Sequence, residues 1–252
     1  NSNYAEFYNI FKLNYLFSIY KINEACEFSN TIDRKKSNLN KNYLLKVDIF
    51  CTFLENKIAE ANFLMSLLED TNDEDTYFRA IFSNLQESQI TEIDIGVHNY
   101  KKNNMALYSA MIRVGNMPLN KNFLSHDASN LSLPIVLSRS SDINLRLIAA
   151  HKAYQAGKFN AESLSALYQT VDFSYEELNN INLINTKLNE NVEIGMAYLY
   201  QKANIQILPI TRIESLVEFW DFAENNEYKL LSYDISRKLI QSIEPSQELL
   251  DY

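Results

Sequence analysis

The sequence predicts an all-α protein, a solenoid of antiparallel helix pairs with tetratricopeptide-like repeats in its first 70 or so residues. Three observations lead there. The chain has 252 residues but only four Gly and four Pro, far fewer than a sandwich or barrel turning every ten residues would use. Helices joined by polar turns fit better, with the frequent Asn residues as caps and turn formers. The segments "YKINEACEFSNTI" (20–32) and "NKIAEANFLMSLL" (56–68) match each other, with Lys21-Ile22-x-Glu24-Ala25 recurring as Lys57-Ile58-x-Glu60-Ala61. Finally, "RSSDINLRLIAAHKAYQAGKFNAESLSALYQ" (139–169) reads as two helices around a tight turn.

Taken in order, the first repeat begins in "NYAEFYNIFKLNYLFSIY", striped with Tyr4, Phe7, Tyr8, Phe11 and Tyr15. At helical spacing such a stripe reads as core. It is wide for one face, so preceding residues absent from this sequence are expected to cover part of it. Upstream of each matched segment lies an apolar helical run, with Leu13/Ile49 and Phe17/Phe53 at the same offset. A period near 34, with a small Ala letting paired helices approach, is the tetratricopeptide arrangement. Its consensus Gly and Trp positions are missing, so the match is divergent.

Further helices are expected near 73–86, 104–114, 119–126, 131–138, 142–156, 160–170, 174–182, 190–204, 210–224 and 228–241. Pro118, Pro134, Pro209 and Pro245 fall mostly near helix starts, where a missing N–H is harmless. "QITEIDIGV" (89–97) alternates weakly, which allows an extended segment, but reads better as linker. The expected division is 1–87 as repeats, 88–130 as an irregular bend and 131–252 as a second helical half, with one continuous solenoid as the alternative.

In 139–169, Asp142 is a good N-cap, followed by Leu145, Ile148, Ala149 and Lys152. Gly157 sits where a left-handed residue is wanted, and Asn160 caps the second helix. A DNA-reading helix-turn-helix would need phosphate and base-edge donors. The second helix, "AESLSALYQTV", carries Glu162 and no Lys or Arg, with Gln169 its best donor and Leu164, Leu167 and Val171 on an apolar stripe. A net charge of −9 and a pI near 4.9 oppose nucleic acid further. The segment reads as a helical repeat.

No catalytic, cofactor-binding or metal-ligating residues are expected. His98, His126 and His151 are isolated, outside any zinc-ligand spacing, and read as solvated or helix-end positions. Phosphate-binding Gly loops and the nucleophile elbow are missing. Glu87-Ser88, Glu162-Ser163 and Glu214-Ser215 resemble the acid-Ser step of lytic transglycosylases, whose Gly-rich turn is lacking here. A protonated catalytic Glu needs an enclosed site, so these read as solvated helix positions. No run of 18 apolar residues can span a membrane. The start at Asn1 without Met or an h-region suggests a mature, trimmed chain or an internal fragment.

Cys26 lies in the second helix of one repeat and Cys51 in the first helix of the next. About seven and ten residues separate them from the intervening polar loop, so they stand within roughly one turn of level. A disulfide and a pair of buried free thiols both satisfy that spacing.

Four segments, "NEACEF", "LLKVDIFCTFLENKIAEANFLMSLLED", "LRLIAAHKAYQAGKFNAESLSALY" and "AYLYQKANIQILPITRIESLVEFWDFAE", resemble a family of exported, uncharacterised helical repeat proteins of alphaproteobacteria. Its members are sometimes labelled "antifreeze glycopeptide polyprotein". Their Ala positions hold Asn, Ser and larger residues here. The resemblance spans most of the chain and rests on packing and turn motifs. It implies a tetratricopeptide-like fold, export beyond the inner membrane, Cys at the positions of Cys26 and Cys51, and hence a disulfide in an oxidising compartment. It supplies no catalytic residues. The antifreeze label has no support in this chain, which lacks Ala-Ala-Thr repeats. Family members run further at both ends, in keeping with a chain trimmed at "SQELLDY".

The expected function is a non-enzymatic scaffold or adaptor, periplasmic or otherwise exported, that holds a protein partner in a helical groove. Its acidic balance favours a basic partner. The alternatives are a cell-envelope enzyme or its helical arm acting near peptidoglycan, a structural subunit of a larger complex, and, for location, the cytoplasm.

Overall fold

A computed structural model of the protein describes residues 2–34, 41–125, 131–180 and 191–244. The described residues form fourteen α-helices and two 3-10 turns, without a strand. The chain divides into two compact units, Asn1–Leu145 and Arg146–Tyr252.

The first unit opens with two helical hairpins: α1 (Ser2–Ser18) with α2 (Ile22–Asn30), and α3 (Lys41–Leu54) with α4 (Ile58–Asp70). Their turns are copies of each other. Tyr20 and Asn56 both take φ 61°. The next amide reaches back five residues, Lys21 N–H to the Leu16 carbonyl at 2.9 Å and Lys57 N–H to the Thr52 carbonyl at 3.2 Å. Four residues on, Ala25 and Ala61 are fully buried. The sequence match at 36 residues is thus a match of turn and packing. A methyl group is all that fits where the second helix closes on the first.

The same closure recurs at Ser88, Asn116, Gly157 and Glu227, each with positive φ. The following amides bond to the carbonyls of Asn84, Ile112, Ala153 and Ala223 at 2.7–2.9 Å. Only one of these six turns uses glycine. A left-handed conformation costs an L-residue roughly 1–2 kcal/mol, which the paired helix-end carbonyls and the packing behind each turn offset. Six of the described helices are thus ended with a single glycine among their turns.

Beyond the hairpins come α5 (Thr76–Gln86), α6 (Met105–Val114), α7 (Asn122–Ser125) and α8 (Ser132–Leu137). Every residue of α6 from Met105 to Ile112 is buried. It packs on α1, α5 and α8, the position of a central helix in a bundle. A strict solenoid repeat touches only its neighbours, whereas α6 returns to the first helix of the chain. Residues 89–97 carry no strand, as expected; Ile95–Val97 is a 3-10 turn capped by the Asp94 carboxylate.

Cys26 on α2 and Cys51 on α3 meet at disulfide distance, Cα to Cα 5.6 Å. Beside them Arg34 ties the end of α2 to α3. Its guanidinium donates to the Asp48 carboxylate, to the Ser29 hydroxyl at 2.8 Å and to the Ser29 carbonyl at 2.9 Å.

The hairpin of α9 (Ile143–Gln155) and α10 (Ala161–Tyr168) carries the expected devices. The Asp142 carboxylate accepts from Asn144 N–H at 2.9 Å, Gly157 has φ 68°, and the Asn160 side chain accepts from Ser163 N–H at 2.7 Å. In α9 the buried face is Leu147, Ala149, Ala150, His151 and Ala153; of the Leu145, Ile148, Ala149 and Lys152 read from the sequence, only Ala149 is fully buried. In α10, Leu164 and Leu167 are buried, as is Val171 just beyond it.

The second unit continues with α11 (Tyr175–Asn179), α12 (Val192–Ile205), α13 (Pro209–Asn225) and α14 (Lys229–Gln241). A capping box of Ser174 and Glu177 starts α11, and Pro209 opens α13 in the first turn. Pro245 lies outside the described residues. The core runs along α12, buried from Ile194 to Tyr200 and packed on α10, α11, α13 and α14. A Cβ at Gly195 would stand 2.5 Å from the Phe222 ring, so α12 and α13 approach through the missing side chain.

The 25-residue separation of the cysteines corresponds to a cross-link worth about 3 kcal/mol. Urea unfolding with and without reductant should show a loss of that order, with Cys26→Ser/Cys51→Ser matching the reduced protein. Equal midpoints in all three would mean that the thiols are not joined in solution.

Candidate functional site

The polar centre of the first unit was not legible in the sequence. Lys46 lies in the apolar run "YLLKVDIF" on α3 and is 1% exposed. Its ammonium donates to Asp75 at 2.6 Å and to Asp73 at 2.9 Å. Asp75 is the N-cap of α5, accepting from Phe78 N–H at 3.1 Å. Its other oxygen takes the Tyr108 hydroxyl at 2.5 Å and the Asn104 amide at 3.0 Å. Asp73 accepts from Asp75 N–H at 2.9 Å and from the Asn42 amide at 3.1 Å. One lysine therefore gathers α3, the α4–α5 turn, the cap of α5 and α6.

Burial works against the ionised Asp73 carboxyl, but the Lys46 hydrogen bond, the Asp75 amide, the Lys46 charge and Asn42 together hold it below its ordinary range. Burial pushes the Tyr108 hydroxyl upward, and the neighbouring Asp75 charge adds to this. An open pocket of about 460 Å³ lies over the cluster, rimmed by Lys41, Glu74, Lys101 and Asn103. Each oxygen of both carboxylates accepts at least one hydrogen bond within the cluster. The arrangement organises the unit.

The second unit has its own buried titratable group. His151 was expected at a solvated or helix-end position; it lies inside α9 and is 1% exposed. Its Nε2 stands 2.6 Å from the Tyr168 hydroxyl, and its ring meets the Tyr228 ring edge-to-face at 4.5 Å between centroids. Burial lowers its pKa to about 3, so it is a neutral core residue at ordinary pH. The sequence hint was its neighbourhood: "IAAHKA" places His among small residues that pack tightly. His98 does follow a 3-10 turn, half-buried beside the Tyr77 ring, and His126 lies outside the described residues.

Of the Glu-Ser pairs, Glu87, Glu162 and Glu214 are all exposed. Glu162 pairs with Lys238 at 2.7 Å on the surface, which lowers its pKa. That is opposite to what a general acid requires. Among the described residues no group of His, Cys, Asp and Glu could hold a metal ion, and no helix is long and apolar enough to cross a membrane.

The aromatic stripe of α1, expected as core with part of it covered by preceding residues, does not enter the core of the described residues. Tyr4, Phe7, Tyr8, Phe11 and Tyr15 are 48–82% exposed, whereas Leu13, Leu16 and Phe17 on the opposite face enter the core. α1 is apolar on two faces, and periodicity cannot tell which one packs. Phe28 of α2 borders the stripe, edge-on to Tyr8 at 6.4 Å, with the Lys12 ammonium 4.0 Å above its ring.

No protein-family model, no curated protein and no solved structure matches this chain.

Replacing Lys46 by Met removes the ammonium that joins two buried carboxylates and should cost about 3–5 kcal/mol, read as a shift in the urea midpoint. A neutral shift would show that the carboxylates are neutralised another way. His151 generates a pH dependence. Its ordinary pKa of 6.5 falls to about 3 on folding, so between those values the unfolded chain holds one more proton. The stability that neutral His151 contributes is fully present above pH 6.5 and is lost progressively as the pH falls from there towards about 3. The lowered carboxyl of Asp73 acts in a separate window, its contribution being lost only below its ordinary 3.8. His151→Phe should flatten the slope between pH 6 and 4; an unchanged slope would refute the assignment.

Proposed function

We propose that the protein is a non-enzymatic helical scaffold or adaptor that binds a protein partner in the cell envelope. The observation that carries this reading is the uncovered aromatic face of α1. Five rings at 48–82% exposure present on the order of 600 Å² of aromatic surface, at the upper end of the largest apolar patch on a typical monomer. One side of a standard protein interface is about 800 Å², and Tyr and Phe are the residues such interfaces favour. The twin hairpins with identical turns support a tetratricopeptide-like origin for this part of the chain. The resemblance to exported alphaproteobacterial helical repeat proteins points the same way. A cysteine pair at disulfide distance hints at an oxidising, exported location.

The same face suits a second reading, a structural subunit of a larger assembly, because isologous pairing through α1 would cover it without another protein.

Native purification of the full protein, compared with Phe7→Ser/Phe11→Ser, tests both. Both side chains point away from the core, so the variant should keep the helical signal and the melting temperature. A partner recovered in fixed ratio with the wild type and lost with the variant supports the scaffold. Self-association lost with the variant supports the subunit. A wild-type monomer recovered alone overturns both.

A further inference from the structure

The second unit carries a pocket of about 910 Å³ whose lining is unlike the rest of its surface. Four aromatic side chains wall it: Tyr154 on α9, Phe159 in the following turn, and Tyr228 and Tyr233 at the start of α14. Three carboxylates, Glu224, Glu227 and Asp234, share this lining with one cation, Lys229. Three negative charges against one positive leave a net −2.

The carboxylates are held differently. Asp234 accepts a hydrogen bond from the Tyr154 hydroxyl, which fixes it against the aromatic wall. Glu224 is paired with Lys229 at 2.6 Å. Glu227 occupies the left-handed turn between α13 and α14, φ 67°, which carries it off both helices. Leu230, 79% exposed, stands at the rim.

We infer that this tyrosine-walled acidic pocket receives an arginine or lysine side chain of a protein partner. The chemistry selects the occupant by elimination. An anion meets net negative charge. A neutral apolar group would strip water from the carboxylates without replacing its hydrogen bonds. A cation on an apolar stem satisfies both halves, lying on the ring faces while its head reaches Asp234 or Glu227. Arginine does this best, since its planar guanidinium stacks and forks at once. The volume exceeds that of one side chain and lies within the range of ligand pockets, leaving room for flanking peptide that Leu230 can contact. The charge of −9 over the whole chain gives the same preference at long range. The inference rests on the partner-binding reading above but uses a surface separate from α1.

A short capped peptide with one central Arg, titrated into isotope-labelled full-length protein, provides the test. The same peptide with citrulline, and free methylguanidine, are the comparison probes. Amides of 154–159 and 224–234 should shift with the Arg peptide, and affinity should fall with added salt. Citrulline should weaken binding by roughly tenfold or more, as should Asp234→Asn or Glu227→Gln. Both variants are near-isosteric changes at exposed positions, and retained helicity and melting temperature verify their fold. Equal binding of the Arg and citrulline peptides, or shifts elsewhere in the protein, overturns the inference. Methylguanidine binding as tightly as the peptide overturns the protein source and makes the ligand a small organic cation. If the Arg peptide fails while an α1-dependent partner is still recovered, only this inference falls. If it binds while no partner is recovered, only the α1 reading falls.

Discussion

A single buried ammonium holds the first unit together. Lys46 reaches two aspartates that belong to the turn leading into α5, and through Asp75 it is joined to Asn104 and Tyr108 at the start of α6. Removing two carboxylates and an ammonium from water costs several kcal/mol per ion, recovered only when every oxygen and proton finds a partner. Here each carboxylate oxygen has a donor and the ammonium bonds to both aspartates, which ties the start of α5 and the start of α6 to α3.

Around that centre, the turns solve a problem of composition. With few glycines, seven of the described helices end on left-handed residues, six of them Tyr, Asn, Asn, Ser, Asn and Glu. Asn is among the L-residues that adopt this conformation most readily. Tyr20 is supported from outside, with the Arg113 guanidinium 3.6 Å from its ring centroid. The Cys26–Cys51 pair and Arg34 then tie the first hairpin to the second, so that the twin hairpins act as one block.

The second unit uses aromatic contacts where the first uses charge. His151, Tyr168, Tyr200 and Phe219 form a chain of neighbouring rings with centroids 5.8–6.2 Å apart. Neutral histidine fits that environment, and its lowered pKa makes the unit more acid-sensitive than its carboxylates alone would. Tyr228 links this interior to the pocket, its ring packed on His151 while it also lines the tyrosine-walled cavity.

The helices themselves were determined locally. Asp142, Gly157 and Asn160 announced the α9–α10 hairpin because caps act on amides two or three residues away, and the Lys-Ile-x-Glu-Ala match announced the two copied turns because each turn is closed within six residues. Ala25 and Ala61 marked close approach by their size alone. Tertiary structure decided the rest. Lys46 is one polar letter in an apolar run, and the aspartates that neutralise it lie 27 and 29 residues away, a pairing that exists only once α3 and α5 have docked. His151 carries no local sign of burial beyond its small neighbours. The α1 stripe reads as core until the opposite face, with Leu13 and Phe17, is seen to pack instead. Periodicity counts apolar faces, whereas partners select among them. The acidic aromatic pocket is drawn from residues 154–159 and 224–234, and no spacing rule spans that distance.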